Sequence, residues 1–208
     1  MSLFNPSDGP HPEPQLAPAP TLTSISQPAN RLYWTLQGPL TTAITIMPED
    51  LNPDAPREAY FRQTLAGTTW HPISESSISA TPVASLEVKE NYLMDWRDSW
   101  WTGNQEGFDD VDEDDEPEGE PPEFAPLVVT ASNGQYVTVH DYVTAVHPWL
   151  LEKRDQILKA RKVVEDDEYE PDGSERLLLQ LNQPAEISAE DEDEWKESLR
   201  WRFRNSGT

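Results

Sequence analysis

Cysteine is absent from the 208 residues, which excludes disulfides, thiolate metal ligands and cysteine nucleophiles. Glycine is scarce. Its nine copies are scattered, with no phosphate-cradling loop, no dinucleotide fingerprint and no G-x-S-x-G turn. No run of about 18 apolar residues occurs, so no helix is expected to span a bilayer. Met1 to Pro14 show neither the basic stretch nor the apolar core of a secretory signal. Bases are few, 15 against 39 acids, for a formal charge of −24. Such a balance repels phosphate, which makes direct nucleic-acid binding a poor expectation. The expectation from these gaps is an acidic intracellular protein, cytoplasmic or nuclear, neither secreted nor membrane-bound.

What is present divides the chain. The length suits one domain with tails, and 20 prolines with only 36% hydrophobic residues argue against burial throughout. Residues 1–29 hold seven prolines, two acids and no base, a pattern that predicts a disordered, partly polyproline arm. Between Glu106 and Glu123 stand 11 acids, and no base lies between Arg97 and Lys153, so a solvated acidic loop is expected over 105–124. The remainder, 30–204, reads as a single α+β domain with a tail at 205–208.

Within that domain, Leu32–Leu36 and Leu40–Met47 flank Gly38-Pro39 as a hairpin. Pro56 near a first turn and Gly67 past a last one predict a helix over 56–66. Residues 73–94 alternate loosely and suggest one or two strands. Leu127–Thr138 predicts a second hairpin about Asn133-Gly134, a pair that tolerates positive φ. Thr138 with Asp141 forms a capping box, and Val139, Tyr142, Val143, Val146, Trp149 and Leu150 mark one helical face. Pro148 is expected to split this 139–163 segment near His147. Arg176–Leu181 reads as a strand. Ser188 reads as the cap of a last helix to 204, acidic early and basic late, with Trp195, Leu199 and Phe203 as its apolar stripe. The expected architecture is a small antiparallel sheet covered by two to four helices.

Chemistry is harder to find. His140 and His147, seven apart, would stand about 10 Å apart on one helix, too far for one metal. His11 lies in the proline-rich arm. Paired carboxylates exist by arithmetic alone, yet acid/base work needs one of them desolvated, and the clustered acids sit in polar runs. The acidic run lacks the glycine and flanking helices of an EF-hand. No catalytic residue, metal ligand or cofactor is therefore assigned.

Eight tryptophans are the unusual feature, three of them at Trp96, Trp100 and Trp101. Core packing is the ordinary use of such residues. An exposed aromatic cluster beside dense negative charge would instead dock a basic partner. The sequence thus suggests a non-catalytic module for a basic protein or segment. Trp96, Trp100 and Trp101 would make contact. Asp109, Asp110, Asp112, Glu113, Asp114, Asp115 and Glu116 would supply attraction. A nucleic-acid mimic that blocks a basic groove, or an enzyme with a site invisible in sequence, are the alternatives.

Pro126-Leu-Val-Val and Tyr136-Val-Thr-Val-His-Asp-Tyr-Val-Thr-Ala-Val-His resemble the core of an uncharacterised fungal domain family, in which a short hairpin leads into a V-T-V-x-D-[VY]-[LV]-x-A-[IV]-H helix. The Leu32–Met47 hairpin is similar to strands that precede it there. The resemblance implies a small α+β domain and a fungal source. It brings no activity and no catalytic residue, and the acidic insertion and Pro148 depart from the pattern.

Overall fold

Short runs of β-branched and aromatic residues fold where the sequence places them. In the computed structural model, which describes residues 24–65, 67–106, 124–165 and 174–205, β1 (Leu32–Trp34) pairs antiparallel with β2 (Ile44–Ile46). Their connection includes one helical turn, α1 (Leu40–Ala43), entered at Gly38 with φ +69°. Positive φ is the reason for glycine at that position.

The helix expected over 56–66 is not formed. Instead β3 (Glu58–Ala59) extends the first sheet beside β2, and β4 (Phe61–Thr64) makes a hairpin with β5 (Gly67–Trp70). A helix here would offer a thin apolar stripe, and isolated short helices are marginal. In the strand form Tyr60 is fully buried, its ring 5.3 Å from Trp70, while Leu65 is left to solvent. Pairing with β2 overrides the local boundary signals.

A four-stranded sheet forms the other half. Its order is β7 (Leu127–Thr130), β6 (Ser85–Glu90), β9 (Glu186–Asp191), β8 (Leu177–Gln183). It is mixed rather than wholly antiparallel, because β6 and β9 run parallel, with Glu90 opposite Ile187. Over 73–94 only β6 is a named strand. Its last residue leads directly into an unanticipated helix, α2 (Asn91–Glu106).

The expected hairpin at 127–138 is also corrected. Asn133 Oδ1 accepts the N–H groups of Gln135 and Tyr136, and Gly134 has φ +70°, so the turn chemistry holds. The first arm pairs with β6, however, and the second runs beside Ser77 and Val83 into the next helix. That helix, α3 (Val139–Glu152), carries the capping box. Asp141 N–H donates to Thr138 Oγ1 and Thr138 N–H to Asp141 Oδ2, each at 3.0 Å. Val139, Tyr142, Val143, Val146 and Leu150 are fully buried along one face.

Pro148 does not divide α3. It lies on the solvent side, as does Thr144, whose carbonyl it cannot serve. The break comes at Lys153, before α4 (Arg154–Glu165). Likewise Ser188 caps no helix. It sits buried in β9, its Oγ accepting from Asn91 and Asn182, because Ile187 and Ala189 fill the core from strand positions. The last helix, α5 (Glu192–Asn205), starts four residues later. Trp195 and Leu199 are buried as expected, and the Phe203 side chain lies outside the described residues.

Residues 24–29, expected to belong to the disordered arm, are packed instead. Ile25 bridges Ser79, Ser26 N–H donates to the Ile78 carbonyl and Ala29 is buried, so packing starts by Ser24. The rest of the arm lies outside the described residues. One large core unites the three- and four-stranded sheets with α3 and α4, and a second, of Tyr33, Met47, Leu51, Leu178, Trp195 and Leu199, holds α5. Tyr33 Oη donates to Glu192 Oε1 at 2.8 Å, which fixes the start of α5.

Candidate functional site

The three tryptophans singled out on α2 do not share a surface. Trp96 is only 7% exposed and packs in the core under Lys159, whose Nζ lies 5.4 Å from the ring centre. Burial removes Trp96 from any contact set. Trp100 is half-buried, and Trp101, 53% exposed, stands edge-on to it at 5.1 Å. The helical spacing of Leu93, Trp96 and Trp100 was the signal for α2. The acids expected to cooperate with this cluster, Asp109, Asp110, Asp112, Glu113, Asp114, Asp115 and Glu116, lie outside the described residues.

A groove of about 610 Å³ opens at the other end of α2. Helix α5 lines it with Glu194, Glu197, Ser198 and Trp201, residues whose steps of three and four set them on one face. Tyr92, at the head of α2, completes the lining with Asn182 of β8 and Glu190 of β9. Trp201 is 61% exposed, as its place off the buried stripe of α5 predicts. None of these lining residues was predicted as a site. Glu194, Glu197 and Trp201 were legible as a helix face, but their partners come from distant chain segments joined by the crossover.

One wall of the groove already binds a cation. Arg161 of α4 is buried, and its Nη2 donates to Asp191 Oδ2 at 3.1 Å and Glu194 Oε2 at 3.2 Å. Glu165 Oε1 is 3.4 Å from its Nε, and the guanidinium lies 5.4 Å from the Tyr92 ring centre. Burial works against this charge, but hydrogen bonding to Asp191 and the fields of Asp191 and Glu165 outweigh it and raise the pKa. Burial, then hydrogen bonding to Glu165, raises the pKa of the Tyr92 phenol, which keeps it neutral.

Glu90, at the end of β6, is fully buried. Its Oε2 accepts the Leu93 N–H at 2.9 Å, capping α2, while Oε1 has no hydrogen-bond partner. Burial pushes its carboxyl up to about 7, against the lowering effect of backbone N–H groups from Leu93, Tyr92 and Ala189.

His147 and His140 serve packing. Trp34 Nε1 donates to His147 Nδ1 at 3.0 Å, so the ring proton sits on Nε2 and is donated to the Gly38 carbonyl at 3.0 Å. Burial lowers the His147 pKa, consistent with the neutral ring. His140 lies 4.6 Å from the Trp70 ring centre, with Tyr60 Oη 3.3 Å from its Nδ1. Both belong to aromatic clusters away from the groove. His11 lies outside the described residues. Among the described residues no cluster of three or more metal-ligating side chains occurs, and no helix is long and apolar enough to cross a membrane.

The fold class is α+β. No protein-family model, curated protein or solved structure matches the chain.

Proposed function

We propose that this chain is a non-catalytic interaction module that receives a basic segment of a partner protein. The groove of Tyr92, Trp201 and the three glutamates carries the reading, because it joins aromatic surface to acceptor groups at one accessible place. The distribution of charge supports it. Within the described residues 22 acids meet 15 bases, a balance of −7, while the other 17 acids of the chain fall in stretches that contain no base. A nucleic-acid mimic would need dense charge over its folded body, and −7 does not favour it.

The division suits long-range attraction by Asp109–Glu116 and short-range contact at the body. Five of the acids, Asp166 to Asp172, follow directly on Glu165, the partner of Tyr92. Trp101, with Trp100 beside it, remains available as a second contact. The likeness to the fungal domain family adds no catalytic residue to this reading.

Association of the full chain with a fluorescein-labelled peptide of mixed lysine and arginine, followed by stopped flow, tests the proposal. The on-rate should fall steeply with added salt, and by about tenfold at low salt when residues 107–123 are replaced by a neutral linker. An on-rate insensitive to both changes would remove the electrostatic element.

A further inference from the structure

The groove's lining joins carboxylates to aromatic surface. Carboxylates dominate its polar groups, and Asn182, which donates one N–H to Ser188 Oγ at 3.1 Å, adds the acceptor Oδ1. A ligand rich in donors and without acceptors fits such a wall. The aromatic surface narrows the choice further. Trp201 stands exposed in the lining beside the half-buried Tyr92, and an open aromatic face favours a flat, weakly hydrated cation over a compact, strongly hydrated ammonium.

The protein also shows how this corner treats such a group. Arg161 places a guanidinium against the same Tyr92 and the same Glu194 that line the groove, held by two further carboxylates. Glu197 lies one turn along α5 from Glu194, with Trp201 four residues beyond it. A second guanidinium over Trp201 would meet Glu197 in the manner that Arg161 meets Glu194.

We infer that the groove is an arginine-reading subsite: one arginine of the partner's basic segment lies on Trp201, with its N–H fork directed to Glu197. This inference rests on the proposed function above. It narrows the partner from basic to arginine-bearing, since lysine supplies charge but neither the planar face nor the fork.

Fluorescence anisotropy of two labelled octapeptides of equal charge tests it, one of alternating glycine and arginine, the other of alternating glycine and lysine. The full chain is compared with Glu197→Gln and Trp201→Ala, both exposed positions whose substitution leaves the core intact. The arginine peptide should bind about tenfold more tightly, and each substitution should remove most of that difference while leaving the lysine peptide nearly unaffected. Equal affinity for the two peptides overturns the arginine inference and leaves the basic-partner reading standing. An arginine preference that survives both substitutions overturns the assignment to this groove. Absence of binding by either peptide at low salt overturns both readings together.

Discussion

Glu90 is a carboxyl placed where a carboxylate is costly. Its folded pKa of about 7 lies above its ordinary 4.5, so the native state binds the proton more tightly than the unfolded chain does. Stability from this group is therefore complete below about pH 4.5, declines as pH rises toward 7, and is level above that. Glu90→Gln retains an acceptor for the Leu93 N–H and puts an uncharged amide where Oε1 has no partner. Above pH 7 the substitution should stabilise the protein by an amount on the order of 3 kcal/mol, with no gain near pH 4. Urea denaturation across this range measures it, and a gain independent of pH would show that Glu90 does not titrate in that window. The Trp34–His147–Gly38 chain illustrates the opposite solution, in which a buried polar ring finds a partner at each nitrogen.

At the scale of elements, legibility follows the range of the interaction. The start of α3 is written in adjacent residues, Thr138 and Asp141, and the structure has both bonds of the box. Thr138→Ala should cost about 1 kcal/mol in chemical denaturation, and Thr138→Ser should recover most of it. An alanine variant as stable as the wild type would mean that the cap contributes little beside the buried face of α3.

Elements set by distant partners were not legible. Glu58–Ala59 is strand because β2 lies beside it, and Ser188 belongs to a strand because β6 and β8 flank it. The Pro56–Gly67 and Ser188–Asp191 patterns satisfy helix rules locally and lose to pairing. The candidate site divides the same way. Trp201 was readable as off the buried stripe of α5, but Tyr92, Asn182 and Glu190 meet it only through the sheet order. Trp96 was misjudged because tryptophan density alone does not distinguish a buried face from an exposed one.

For the whole molecule, the decisive contact is the parallel pairing of β6 with β9. Lys89 and Glu90 meet Glu186 and Ile187 across 97 residues of sequence, a separation that makes the sheet's centre its most distant junction. A chain ending at Gln183 retains β6, β7 and β8 but lacks the strand that joins them, and it loses Trp195 and Leu199 from the second core. It should bind a hydrophobic dye and unfold without a sharp transition, whereas a chain ending at Asn205 should melt cooperatively. Cooperative melting of the shorter chain would show that β9 is dispensable.

The same junction sets a timetable for synthesis. A translating ribosome must release the chain past residue 191 before the β6 edge can be covered. Until then an open, paired-on-one-side strand waits with its amides unclaimed, and the nascent protein stays vulnerable to its neighbours until β9 emerges.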